Sequence, residues 1–361
     1  MEFALSEEQR LLQETVRRYL EEASELDVVR KAAEAKAPLS REVWNGLVEL
    51  GVAGVLVPEE HGGLGLGVLE AALIAEMTGR TVAPLPFVGT AVMAPLALVH
   101  AGTDAQKASW LPRLAAGELI AGVAVTEAIG TREGAGVTSE NGKLNGKALF
   151  VVDGPAADIY IVADTNRGLH LVEATAKGLT CGALTTIDLT RPVSELVFDN
   201  VAAEPLSGGG GEALERMIDA GRIMLAADTL GAGDMMLEKA VAYAKERKQF
   251  GRVIGSFQAV KHLCAEMAAE LEPCRSLVWY AAYAQDAVPE DRRLMACHAK
   301  AHLSEIGRFV ARTATEVHGG MGFTDLLGLH YWFKRIGLDR QLLGGPERVR
   351  EEAARLQGWA A

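Results

Sequence analysis

The sequence predicts an α+β multidomain protein. An N-terminal helical domain is expected over residues 1–122, a central antiparallel β-barrel or sandwich over 123–207, and a C-terminal four-helix bundle over 208–361. Three observations predict this. Apolar residues recur at helical spacing at both ends of the chain. The stretch between them reads as short strands punctuated by Gly, Asn and Asp. The helical stretches of the second half are much longer than those of the first. With 361 residues, 49% of them hydrophobic and 23% charged, the chain can bury a large core without disulfides or metals.

Ser6 before Glu7, Glu8 and Gln9 is a helix start of the S-x-x-E/Q type, and Leu11, Leu12, Val16, Tyr19 and Leu20 continue at helical spacing. Trp44, Leu47, Val48 and Leu50 suggest a second helix. Pro58 and the run His61 to Gly67 break the pattern, and helical signals resume over 69–78 and 104–114. Strands are expected at Leu149 to Val152, Asp158 to Val162 and Ser194 to Phe198, the first of them after the turn at Lys143 to Lys147. Ser207 and Gly208 to Gly211 read as a flexible joint. Long helices are expected over 213–247, 256–285 and 292–317.

The charge excludes some functions. Lys and Arg number 36 against 48 Asp and Glu, so the net charge is −12. Nucleic acid and anionic membrane are therefore not expected partners. Cys181, Cys264, Cys274 and Cys297 form no CxxC pair and no zinc set, so inert thiols and no metal are expected. The acidic N-terminus is not a signal sequence, and no apolar stretch is long enough to span a bilayer, so the expected compartment is the cytoplasm.

Several strings, in order, resemble the acyl-CoA dehydrogenase family over almost the whole chain. They are Val57 to Gly65 (VPEEHGGLG), Gln106 to Pro112 (QKASWLP) followed by Gly117-Glu118, Thr126-Glu127, Glu246 to Gly251 (ERKQFG), Phe257 to His262 (FQAVKH) and His318 to Phe323 (HGGMGF). The resemblance implies α,β-dehydrogenation of an acyl-CoA thioester with FAD as cofactor. It also implies an oligomer, because in the family these C-terminal groups reach FAD held mainly by a neighbouring subunit, and electrons leave to an electron-transferring flavoprotein.

By that resemblance Arg247 grips the FAD pyrophosphate, which suits a guanidinium able to donate two parallel hydrogen bonds. Phe250 and Phe257 offer apolar faces, and Gln258 donates and accepts toward the adenosine half. Glu316 belongs to the same group, and Gly319 and Gly320 let the backbone approach without a Cβ. Thr126, Phe150 and Val152 fall where the family contacts the flavin ring. Asp219 and Arg222, at i and i+3 on one helix face, match the pair that meets the CoA portion. His318 is assigned no chemistry.

The chain departs from the family at the reaction centre. The usual base position near the C-terminus falls on Gly344, and the alternative position beside the helix arginine falls on Gly221. The Trp-Ile-Ser/Thr string of the flavin strand is Phe150-Val151-Val152 here, and Val152 has no hydroxyl to offer flavin N5. The loop after Thr126-Glu127 is shortened. These departures, and the tail around Leu329 to Arg335 and Leu342 to Pro346, are similar to bacterial α2β2 members, often acting on steroid side-chain CoA thioesters, in which one subunit type is degenerate. Three readings follow. The chain is one subunit of a heteromeric tetramer whose partner supplies the base. Alternatively it is a self-sufficient homo-oligomer with a relocated base, for which Glu266, Glu270 and Glu272 are the candidates. The third reading is a non-catalytic acyl-CoA or partner-binding scaffold.

Overall fold

The computed structural model describes residues 4–36, 39–207 and 211–360. Residues 208–210 of the expected joint lie outside them. The N-terminal part holds α1 (Glu7–Ala23), α2 (Leu26–Glu34), α3 (Arg41–Glu49), α4 (Val68–Arg80), a π-helical turn (Val88–Met93), α5 (Ala94–Ala101) and α6 (Asp104–Ala115). The capping box is present. Ser6 Oγ accepts from the Gln9 N–H at 3.1 Å and Gln9 Oε1 accepts from the Ser6 N–H at 2.9 Å, which satisfies two donors left over at the helix start. The π-helical turn and α5 lacked a sequence signal because Val82 to Leu98 is apolar almost throughout, with three prolines and no period to read.

The β-domain comprises β1 (Ala121–Ala124), a single helical turn α7 (Thr126–Ile129), β2 (Gly136–Glu140), β3 (Lys143–Val152), β4 (Ile159–Ala163), β5 (Leu169–Glu173), β6 (Leu179–Ala183), β7 (Val193–Ala202) and β8 (Glu204–Pro205). Its sheet runs β6-β7-β3-β1-β4-β5-β8, with β2 added on β3. One feature corrects the antiparallel expectation: β1 and β4 pair in parallel, Ala121 opposite Ile159 through Ala124 opposite Val162. Both strands are buried along their whole length, as a parallel pair covered on both faces must be. The four-residue string Ala-Gly-Val-Ala of β1 is too short and too small to announce a strand.

The C-terminal part contains α8 (Gly211–Glu246), a two-stranded hairpin of β9 (Lys248–Gln249) and β10 (Arg252–Val253), α9 (Gln258–Ala287), α10 (Arg292–His318), α11 (Leu329–Gln341) and α12 (Pro346–Leu356). It is a helical bundle whose centre is α8, packed against α10, α9 and α11 and, from the N-terminal part, α4. The crossing of α4 and α8 is as close as two backbones allow. A Cβ on Gly231 would lie 1.8 Å from the Glu76 carbonyl oxygen, and one on Gly79 would lie 1.9 Å from that of Asp228. Among the described residues no helix is long and apolar enough to cross a membrane.

Gly231→Ala should therefore cost about 3 kcal/mol, the upper end of overpacking penalties, because the obstacle is backbone and not a mobile side chain. Gly182→Ala, where a Cβ meets nothing within 4 Å, should stay within about 0.5 kcal/mol of wild type in the same urea titration.

Candidate functional site

The antiparallel succession of α8, α9 and α10 puts the end of α8, the start of α9 and the end of α10 at one end of the bundle. The His318 ring stacks on Tyr243 with centroids 4.7 Å apart, which ties the ends of α8 and α10 together. His318 also engages the Ala314 carbonyl at 2.7 Å, and burial pushes its pKa down, so a packed, neutral imidazole is its state. This one end carries Arg247, Phe250, Phe257, Gln258, Glu316, Gly319 and Gly320, residues up to 73 positions apart in the sequence.

The hairpin after α8 turns at Phe250 (φ 53°) and Gly251 (φ 78°), the positive values a two-residue turn between twisted strands requires. The turn pushes the Phe250 ring into solvent, 91% exposed, and its only ring contact is an edge-on approach to Phe257 at 6.1 Å. Arg252 lies over the Phe257 ring at 4.0 Å. Gln258, exposed, meets His262 at 3.0 Å. Arg247 is exposed and its guanidinium makes no hydrogen bond or ion pair among the described residues. Glu316 is also exposed. Gly319 adopts φ 58° and ψ −140°, a conformation essentially reserved for glycine, yet a Cβ on Gly319 or Gly320 would meet nothing within 4 Å. Among the described residues nothing occupies the space beside this pair. Phe323 and Leu326, just beyond it, are 80% and 72% exposed.

A second site lies further back along α8. The 24 residue steps from Arg222 to Glu246 span about 36 Å at the helical rise. Here a cavity of about 390 Å³ opens between α7, the start of α8, α10 and α12. Asp219 and Arg222 line it. The pair is buried, with 2% and 1% of its surface exposed, and its atoms stand 3.7 Å apart. Arg222 is fully engaged by its own chain. Its Nε donates to the Leu343 carbonyl at 3.0 Å and a terminal nitrogen donates to Glu352 at 2.8 Å. Glu352 in turn accepts from Arg293 at 2.9 and 3.1 Å. Burial pushes Asp219 up to about 7, against the pull of Arg222 and Arg293. Burial also pushes Glu352 up, but the two guanidiniums outweigh it and hold Glu352 below its ordinary value.

Both glycines at the usual base positions are closely bordered by side chains. A Cβ on Gly221 would lie 2.6 Å from Leu343 and 2.8 Å from Met93. Gly344 has φ 104°, and its Cβ would stand 3.6 Å from the Arg222 guanidinium and 3.4 Å from Ile129. Glu266, Glu270 and Glu272 sit on the exposed face of α9 and do not line the cavity.

On the β-domain side the polar groups are already used. Thr126 Oγ1 donates to the Phe150 carbonyl at 3.3 Å, and the Leu149 N–H donates to Glu127 at 3.2 Å. Arg132 lies over the Phe150 ring at 5.2 Å. Phe150 takes a positive φ of 52° at an irregularity in the β3–β7 ladder. Val152 has no exposed surface and is paired with Val123 and Val193. Residues of the bundle end are thus open to a ligand, whereas the residues expected at the flavin ring are occupied by one another. Arg293, Glu352 and Arg348, which complete the cavity, gave no signal because charges on helix faces ordinarily face solvent.

With this geometry, the chain belongs to the acyl-CoA dehydrogenase family. Residues 6–118 match the family model for the acyl-CoA dehydrogenase N-terminal domain and residues 208–356 match that for the C-terminal domain. Acyl-CoA dehydrogenase IpdE2 of Mycolicibacterium smegmatis is 31% identical over 354 residues, covering 98% of this chain and 99% of the relative. The ChsE4-ChsE5 complex from Mycobacterium tuberculosis contains a chain with a TM-score of 0.92 and 26% identity, covering all of both chains. A variant of the Tcur3481-Tcur3483 steroid ACAD gives a TM-score of 0.89 and 30% identity over 98% of each chain.

Glu352 binds two guanidiniums, and its removal should be felt only where it is ionised. Its lowered pKa means that its stabilisation is present above the unfolded value, near 4.5, and is lost as pH falls through the folded value. Glu352→Gln should cost about 1.5–3 kcal/mol at pH 7. In denaturation curves at pH 3 the difference from wild type should have largely vanished.

Proposed function

We propose that this chain is one subunit of a heteromeric, FAD-dependent acyl-CoA dehydrogenase. The partner chain supplies the flavin cradle and the base that removes the α-proton of the acyl-CoA thioester. This chain supplies the outer grip on the cofactor. The observation that carries this reading is the contrast between the two half-sites. The bundle end offers a free guanidinium, an amide and an open glycine pair. The interior offers glycine at both base positions, with Met93 and Leu343 already packed against one of them.

The residues of the bundle end fit the pyrophosphate and adenosine half of FAD. Arg247 would hold the anionic oxygens, Gln258 the adenosine, and the glycine pair would admit the cofactor's backbone contact. The residues expected at the flavin ring fit it poorly, since Thr126 is hydrogen-bonded to the strand and Val152 is sealed. Arg222, which lines the interior cavity, lies about 36 Å from Glu246 along α8, so a cofactor gripped at Arg247 belongs with a neighbouring chain's interior. FAD, when bound, supplies the hydride acceptor of the dehydrogenation. The covering of Phe250, Phe323 and Leu326 by that neighbour gives each side chain about 1.5–3 kcal/mol of burial.

Likeness to the ChsE4-ChsE5 complex supports an assembly of unlike chains, and likeness to the Tcur3481-Tcur3483 steroid ACAD supports a steroid-type acyl group. An electron-transferring flavoprotein would be the partner that takes up the electrons.

In the complex purified with its partner, Arg247→Ala should lower flavin content at least tenfold, since a charge-assisted bidentate grip contributes about 1.5–3 kcal/mol. The thermal midpoint of the isolated chain should not move, because the Arg247 guanidinium has no partner among the described residues. Unchanged flavin content would remove the assignment.

A further inference from the structure

The 184–192 loop between β6 and β7 is inverted. Asp188, Thr190 and Arg191 are buried at 1%, 0% and 3% exposure, while Ile187 and Leu189 between them are 64% and 43% exposed. A loop that buries its polar residues and exposes its apolar ones is fastened by charge. Arg191 donates to Asp228 of α8 at 2.8 Å and lies 3.1 Å from Asp339 of α11. Asp188 is 3.7 Å from Arg335 of α11 and is itself held by the Thr190 N–H and hydroxyl at 2.8 and 2.7 Å.

At the centre of this cluster Asp228 and Asp339 both meet the Arg191 guanidinium, at 2.8 and 3.1 Å, and each carboxylate is buried. Read as two carboxylates they leave a fault. Both oxygens of Asp339 and Oδ1 of Asp228 are buried without any hydrogen-bond donor in satisfactory geometry. Two buried acceptors beside one guanidinium, both cut off from water, are costly, and one proton between them would turn repulsion into a hydrogen bond. The charges around them agree. Asp153 at the end of β3, Asp188, Asp228 and Asp339 supply four acids, against Arg191, Arg335 and Lys300 of α10. Lys300 is pushed by burial down to about 7 and donates to the Asp339 and Arg340 carbonyls that end α11. Burial pushes Asp153 up to about 6, and its carboxylate accepts from the Gly89 N–H at 2.7 Å.

We propose that Asp228 and Asp339 hold a single proton between them, and that this shared proton fastens the 184–192 loop and the end of α11 to the bundle, loosening both as the pH rises. Asp339 carries the proton and donates to the Asp228 carboxylate, which also accepts from Thr78 at 2.9 Å and from Arg191. Burial and the Asp228 charge raise Asp339 well above its ordinary range, although Arg191 and Arg335 pull the other way. Asp228 is held low by Arg335, Arg191 and the Asp339 proton against the upward push of burial. For an acid raised by folding, the folded state binds more protons than the unfolded chain between the two pKa values. Its stabilisation is therefore complete at low pH and lost as pH climbs toward the folded value. The end of α11 leads directly into Leu343, whose carbonyl Arg222 holds, so the proton also steadies the floor of the cavity.

The test compares thermal midpoints of wild type, Asp339→Asn and Asp228→Asn from pH 5 to pH 9. Asparagine at 339 donates to Asp228 at every pH. That variant should gain on wild type by about 2–4 °C between the two ends of the range. Asp228→Asn removes the carboxylate that Arg191 and Thr78 use, and should lie below wild type at pH 5; because it also removes the charge that raises Asp339, its deficit should shrink toward pH 9. Parallel curves for wild type and Asp339→Asn would overturn the proposal. Carboxyl ¹³C NMR should find an aspartic acid still protonated above pH 7 whose signal is absent from Asp339→Asn, which separates it from Asp219 and Asp153. Finding every aspartate ionised by pH 7 would also overturn it.

Discussion

The antiparallel return of α8 through α9 to α10 is the constraint on which the rest of the structure depends. It gathers Arg247, Gln258 and Gly319, far apart in sequence, at one end of the bundle. It also leaves Arg222, on the same helix, near the opposite end. A single helix thus serves two sites too far apart to act on one small molecule within one chain. The close crossing of α4 over α8, permitted by Gly79 and Gly231, fixes α8 in place so that both of its ends have defined surroundings.

Each site has a different physical character. At the bundle end, polar and apolar groups are presented without partners, and the glycine pair keeps the backbone bare. In the interior, Arg222, Arg293 and Glu352 beside the cavity are satisfied by one another and by the Leu343 carbonyl. Arg222 illustrates the difference. Sequence pattern expects it to meet a ligand, yet it spends its donors on Leu343 and Glu352 and fixes the turn in which Gly344 sits. A guanidinium so placed acts chiefly as a brace for the cavity floor.

Much of the fold was legible because its long elements carry strong periods. The bounds of α8, α9 and α10 fall within two or three residues of those expected. Short elements with small side chains were not legible, as with β1, and neither was a uniformly apolar run such as the π-helical turn before α5. The parallel pairing of β1 and β4 is a long-range fact that strand patterns do not encode. The residues of the bundle end could be named from their motifs, but their exposure could not. Phe250 at 91% exposure is invisible in a sequence, where a phenylalanine reads as core. The buried charges Asp188, Asp228 and Asp339 went unremarked for the converse reason, since an isolated aspartate in a sequence reads as solvated.

Flavin counted per chain tests the central claim most directly. The protein purified alone should be colourless, and the complex formed by co-expression with its family partner should carry one FAD for each pair of unlike chains. A yellow protein with one flavin per chain, purified without any partner, would contradict the account.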